Sequence, residues 1–169
     1  YVRVDDRPDR IDPDALVTHD LRATVVAGAA ALLAGAEPLE GEGWLARWRS
    51  LAESVGAAAA GALAGEDAIS EPAVASAVAQ SVPEGGTLVV AASMPVRDVE
   101  AFAAPGPPHR HVVANRGASG IDGTVATAHG VARGLEEAVL ALVGDLALLH
   151  DQTSLALLRD GPPVLVVCV

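Results

Sequence analysis

The sequence predicts an α/β fold, a parallel sheet flanked by helices, and three observations carry that expectation. The segments TLVVAA (87–92), VLALVG (139–144) and PVLVVCV (163–169) are continuous apolar runs, not alternating ones. That is the pattern of strands covered on both faces. Segments of helical character fall between them, so strands and helices alternate as in βαβ units, with right-handed crossovers expected. Apolar residues make up 51% of the chain but aromatics only 2%, so the core must be built from Ala, Val and Leu. The 169 residues suffice for one domain with a real core, or for one domain and a piece of another.

In chain order, YVRV (1–4) reads as a strand and DDRPDRIDPD (5–14) as a polar loop. LVTHDLRA (16–23) alternates weakly. TVVAGAAALLAG (24–35) reads as an Ala-rich helix ending at Gly35. AEPLEGEG (36–43) combines Pro, Gly and acids and is the best linker candidate. Trp44, Leu45, Trp48, Leu51 and Val55 follow the three-and-four spacing of a helix running to about Leu63. Ser70, Glu71 and Pro72 form a helix-start signal. After the strand at 87–92, SMPVRDVEAF (93–102) reads as a short helix and HRHVVA (109–114) as a strand. The glycine segment then opens a helix over about 119–133. HDQTSLALLRDG (150–161) is the helix between the last two strands.

The formal net charge is −11, from 22 acids and 11 bases, and every base is arginine. An acidic chain with no basic stripe is a poor nucleic-acid binder. Arginine suits bidentate contacts to carboxylate or phosphate, although a coding bias would also produce it. The lone Cys168 excludes a disulfide framework or a cysteine zinc site within the chain, and its apolar surroundings point to the core. No apolar run reaches a membrane-spanning length, and no signal peptide is evident. A soluble, cytoplasmic protein is expected. The chain begins without methionine in one strand-like run and stops in another, so a fragment of a longer polypeptide is expected.

Ligands of parallel α/β sheets bind at the carboxyl ends of strands. Ser93, the glycine segment and Gly144-Asp145 all follow strands and could share one rim. Gly117, Gly120 and Gly123 allow tight turns and close approach of the backbone to a ligand, and the following helix can offer free N–H groups to an anion. Their spacing is neither the dinucleotide pattern nor a P-loop. Close helix–strand packing is the plainer reading of these glycines. An acid at the end of an apolar strand, such as Asp145, suits Mg²⁺ shared with substrate phosphates, or simply a helix start. Ser93 and Arg97 are four apart and share a helical face, yet Ser93 also reads as a plain N-cap and Arg97 as a surface ion-pair partner. Arg116 is open to the same reading. His109 and His111 alternate on a strand without a third ligand, and His129 and His150 read as satisfied histidines.

Taken together, SMPVRDVEAF, ANRGASGIDGTVATAHGVA (114–132) and LVGDLALLHDQTSLALL (142–158) resemble the 2-succinyl-5-enolpyruvyl-6-hydroxy-3-cyclohexene-1-carboxylate synthases, thiamine-diphosphate enzymes of menaquinone biosynthesis. THDLRA (18–23) and WLARW (44–48) resemble them more loosely. Leu146 stands where a generic thiamine-diphosphate signature has glycine, as it does in this family.

The resemblance implies a truncated thiamine-diphosphate-binding fold. Residues 1–36 would be the end of the parent's central domain, and residues 37–169 part of its diphosphate-binding domain. It implies thiamine diphosphate and Mg²⁺ as cofactors, with Asp145 a metal ligand, Gly144 and Leu146 beside the diphosphate, and Ile121 beneath the bent cofactor. Ser93, Arg97 and Arg116 would hold carboxylates of 2-oxoglutarate and isochorismate. The parent would be a homodimer or homotetramer with shared active sites. Ala92 stands where the family usually has asparagine. The pyrimidine-binding domain with its glutamate, and an asparagine metal ligand after the last strand, are not in this chain, so it is expected to be inactive alone, with no catalytic residue of its own. Two competing readings are another thiamine-diphosphate decarboxylase or synthase, and a non-enzymatic nucleotide- or effector-binding module.

Overall fold

A computed structural model describes residues 1–7, 12–37, 43–65, 67–104, 111–115 and 120–169. Its contacts divide the chain into two compact units, Tyr1–Leu45 and Ala46–Val169. Most of the expected linker at 36–43 lies outside the described residues.

In the first unit, strand β1 (Val2–Val4) pairs in parallel with β2 (His19–Leu21). Their register sets Arg3 opposite Asp20, and the guanidinium meets the carboxylate through two bonds of 3.1 and 2.7 Å. In the loop that follows β1, the Arg7 guanidinium and backbone N–H hold the Asp5 carboxyl down at about 2. Helix α1 (Val25–Ala34) starts where Thr24 Oγ1 accepts from the Ala27 N–H, and it ends at Gly35. Its one buried residue is Gly28, where a Cβ would run into the Val4 side chain, so glycine is what lets the helix lie on β1.

Helix α2 (Trp44–Ala64) forms where the spacing of apolar residues predicts. Its stripe nevertheless stays open: Trp48, Leu51 and Val55 are 55%, 54% and 60% exposed, and none of its residues is buried. The second unit continues with α3 (Glu71–Ser81), for which Ser70 Oγ accepts from the Ala73 N–H and Pro72 occupies the first turn. Then come β3 (Thr87–Val90), α4 (Met94–Phe102), β4 (His111–Ala114), α5 (Thr124–Leu135), β5 (Val139–Val143), α6 (Asp145–His150), a 3₁₀ helix (Gln152–Arg159) and β6 (Val164–Cys168).

The four strands form one parallel sheet in the order β4-β3-β5-β6. Its pleat divides the side chains between two layers. Leu88, Val90 and Leu142 face α3, packing on Ala75, Val78 and Ala79. Val89, Val139 and Ala141 face α5, packing on Ala128 and Ala132. Alanine on both helices lets them lie close to the sheet, as a core nearly free of aromatics requires. The central strands β3 and β5 are almost wholly buried, as their unbroken apolarity predicts. The flanking strands β4 and β6 are half-exposed.

Three expectations need correction. Cys168 is exposed, because β6 is flanked on one side only among the described residues. Helix α5 starts at Thr124, later than expected, because Gly123 takes a left-handed conformation (φ 73°) and ends the irregular glycine stretch there. The helix expected over 150–161 is the end of α6 followed by a 3₁₀ segment. Among the described residues no helix is long and apolar enough to cross a membrane.

Leu88 is fully buried in the layer against α3. Leu88→Ala is expected to lower stability by about 3 kcal/mol, read as a shift of the denaturant midpoint at unchanged slope.

Candidate functional site

The strand order decides where a ligand can enter. From β3 the chain leaves through α4 to β4 on one flank, and from β5 it leaves through α6 to β6 on the other. The two connections diverge and open a crevice at the carboxyl ends of neighbouring strands, the usual ligand position in such sheets. A cleft of about 180 Å³ lies there. Ala92, Ser93, Met94 and Pro95 line it from the β3 side, and Gly144, Asp145, Leu146 and Ala147 from the β5 side. Ile121, Val169 and Glu71 complete the wall.

Five residues expected at a site therefore meet in one cleft: Ser93, Ile121, Gly144, Asp145 and Leu146. Gly144 has ordinary extended backbone (φ −78°, ψ 160°). A Cβ there would touch only Pro95, at 4.0 Å. Neither conformation nor packing within the chain demands glycine, and its effect is to leave the cleft floor bare. Asp145 opens α6, and its Oδ1 accepts from the Leu146 N–H at 2.6 Å. The carboxylate is otherwise exposed to the cleft.

Ser93 is the third distinctive position. It precedes α4 with φ 78° and ψ −133°, a backbone region that side chains rarely adopt, and its hydroxyl makes no capping bond. Strain of this kind costs about 1–3 kcal/mol and gathers at ligand sites. The expected N-cap role of Ser93 is thus not what the side chain does.

The glycine turn is fixed from two directions. Asn115 donates to the Gly123 carbonyl at 3.3 Å and to Thr127 Oγ1 at 2.8 Å. The N–H groups of Val125 and Ala126 donate to Asp151 Oδ2 at 2.6 and 3.2 Å. Gly123 has no side chain with which to cap α5, so a buried carboxylate far along the chain does it. The start of α5 was expected to offer these donors to an anionic ligand, but Asp151 already takes them.

Arg97 is exposed on α4, does not line the cleft, and forms no ion pair with Asp98 or Glu100. Arg116, Gly117 and His109 lie outside the described residues. His111 is exposed at the start of β4. His129 is not the satisfied histidine expected, since its buried Nδ1 has no hydrogen-bond partner among the described residues. His150 closes α6, exposed. Two residues escaped the sequence reading. Glu71 enters the cleft wall through the packing of α3, although locally it reads only as part of a helix start. Asp151 has a local partner in Ser154, but its bonds to Val125 and Ala126 leave no local signal because they lie in another helix.

The residues present fit a metal-bound anion. Among the described residues the cleft lining carries two acidic residues, Glu71 and Asp145, and no basic one. A cation bound beside them would favour entry of an anion. Among the described residues no group of three or more His, Cys, Asp or Glu could cage a metal. One carboxylate at a bare glycine turn suits a Mg²⁺ whose other ligands come from phosphate and water.

Ser93→Gly is expected to raise stability by about 1 kcal/mol, because glycine adopts this backbone without strain. Thermal unfolding measures it, and an unchanged or lowered transition would mean that Ser93 stores no strain.

No family model matches the chain. It is 50% identical over 167 residues to a 2-succinyl-5-enolpyruvyl-6-hydroxy-3-cyclohexene-1-carboxylate synthase of Rubrobacter xylanophilus, a match covering 99% of the chain and 29% of that protein. It is 48% identical over 161 residues to the synthase of the same name from Salinibacter ruber, covering 95% of the chain and 27% of the relative. It is 31% identical to Protein PHYLLO, chloroplastic, of Arabidopsis thaliana, covering 95% of the chain and 10% of that protein. The chain thus spans under a third of the length of these relatives. Matched along nearly all of its own length, it belongs to the 2-succinyl-5-enolpyruvyl-6-hydroxy-3-cyclohexene-1-carboxylate synthase family and corresponds to one segment of it.

Proposed function

We propose that this chain is the diphosphate-binding part of a thiamine-diphosphate-dependent synthase that decarboxylates 2-oxoglutarate and adds the succinyl unit to isochorismate. The observation that carries the reading is the convergence of Gly144, Asp145, Leu146, Ile121 and Ser93 on one acidic cleft at the switch in strand order. The names of the relatives support the reaction. Residues 1–36 would be the end of the preceding domain.

In this reading Asp145 holds Mg²⁺, and the bare backbone at Gly144 admits the diphosphate to close contact. Ile121 packs against Ala147 and its neighbours and gives the cofactor an apolar support. Thiamine diphosphate, when bound, supplies the carbanion-stabilising chemistry of decarboxylation. The chain's own contribution is to bind and orient. Ser93 lies at the rim with its hydroxyl uncommitted. Arg97, four residues on and without an ion pair, and Arg116 in the glycine segment would take substrate carboxylates. Guanidinium matches carboxylate in two parallel bonds.

The first test is metal-dependent cofactor binding by the full-length polypeptide. Asp145→Ala is expected to abolish Mg²⁺-dependent uptake of thiamine diphosphate in calorimetry, since it removes the anionic ligand of the bridging cation. Unchanged affinity would remove Asp145 from the site.

A second test separates substrate from cofactor. Arg97→Ala in the full-length polypeptide is expected to leave cofactor affinity intact and to lower kcat/KM for one of the two substrates by roughly 10- to 150-fold, the loss of one charge-assisted bond. Lysine should restore only part, because it keeps the charge and loses the planar fork. Wild-type kcat/KM for both substrates in Arg97→Ala would make it a surface residue.

A further inference from the structure

Resting on the cofactor reading above, we infer that Asp151 is a positioning residue: it holds Asp145 and Ile121 in a fixed relation within the cleft lining by tying the far end of α6 to the start of α5. The argument begins with the length of α6. Six residues make fewer than two turns, and such a segment does not hold its own direction. At its near end the Asp145 N–H donates to the Val169 carbonyl at 3.0 Å and the Leu148 N–H to the Gly144 carbonyl at 2.9 Å. In the middle only Ala147 is buried. With the near end tied to Val169 and the middle packed through Ala147, the far end is what remains to be fixed.

That end is Asp151. Its N–H closes α6 on the Ala147 carbonyl at 3.1 Å. Its side chain is 6% exposed, with both oxygens engaged. Oδ2 accepts from Val125 and Ala126, and Oδ1 accepts from the Ser154 hydroxyl at 2.5 Å. A carboxylate satisfied by several donors in a buried place is rigid, and losing one partner leaves the others unpaired.

The link joins two elements that line the site. Asp145 and Leu146, at the start of α6, form one side of the cleft. Ile121, just before the α5 start that Asp151 caps, lines the cleft and packs in the same small cluster as Ala147 and Leu148. One buried carboxylate outside the cleft thus sets where the candidate metal ligand stands relative to the candidate cofactor support. Glu71 and Ser93 stand on other elements and are not held by it.

The test uses hydrogen exchange and cofactor binding on the full-length polypeptide, well below the unfolding transition of each variant. For Asp151→Ala, exchange should quicken about tenfold or more at Asp145 and Leu148, whose N–H groups bond Val169 and Gly144, as well as at Val125 and Ala126. A residue that merely caps α5 would quicken Val125 and Ala126 alone, and that outcome overturns the proposal. Affinity for thiamine diphosphate with Mg²⁺ should fall about tenfold, the scale on which residues behind a metal ligand act. Asp151→Asn should recover most of it, because its amide oxygen can accept from α5 while its NH₂ donates to Ser154. Wild-type affinity in Asp151→Ala, or no recovery in Asp151→Asn, also overturns it. Should the wild-type polypeptide take up no thiamine diphosphate, the cofactor reading fails. The exchange pattern would still decide whether Asp151 ties α6 to the start of α5, and Asp151→Asn carries that measurement if the alanine variant does not fold.

Discussion

Everything chemical in this chain depends on one topological constraint: β3 and β5 are neighbours whose onward connections part in opposite directions. In a parallel sheet each strand must hand the chain to a crossover, and where successive crossovers diverge the rim cannot close. The gap falls after Val90 and Val143, and the next residues, Ser93 and Gly144-Asp145, become its walls. The helices follow suit. α4 packs with the layer of Leu88, Val90 and Leu142, whereas α6 packs through Ala147 with Ala91, Val143 and Val166. Unbroken apolar strands fix the sheet, the sheet fixes the divergence, and the divergence fixes the cleft.

The cleft itself is assembled against local comfort. Ser93 carries a backbone conformation better suited to glycine, while Gly144 is a glycine in a conformation any residue could adopt. A sequence chosen for stability alone would exchange those preferences. Among the described residues that line this small space two are acidic and none is basic, a composition that suits a cation. Such conflicts between local preference and the observed residue are what a binding site leaves in a fold. They stand in a layer of side chains that is otherwise consistent from propensity to packing.

Much of this was legible in the sequence, for definite reasons. Strands β3, β5 and β6 announce themselves because burial on two faces leaves no polar interruption. Helices α1 and α3 are bounded by Thr24 and Ser70, whose capping bonds form as their positions imply. The convergence of Ser93, Ile121 and Asp145 follows from their placement after strands. What failed was whatever depends on a partner distant in sequence. The thiol of Cys168 looked like core and is exposed, and the apolar stripe that announces α2 stays open: apolarity states only a need for cover and not that cover exists. The start of α5 was misplaced because its cap comes from Asp151 and not from the residue before it. Glu71 was read as helix chemistry because only the packing of α3 brings it to the cleft.

The strand order also bears on how the chain can fold as it is made. Thr87 of β3 pairs on one side with His111 of β4 and on the other with Val139 of β5. During synthesis β4 emerges first, so a two-stranded parallel piece can form while the inner edge of β3 still waits. Those edge groups and the apolar side chain of Val89, which faces α5, then stay uncovered until α5 and β5 have left the ribosome. Parallel pairings between distant segments form slowly, and an open apolar edge in the interval is what chaperones recognise and what aggregation exploits. The same central position that lets β3 carry one wall of the cleft makes it the strand longest at risk in the nascent chain.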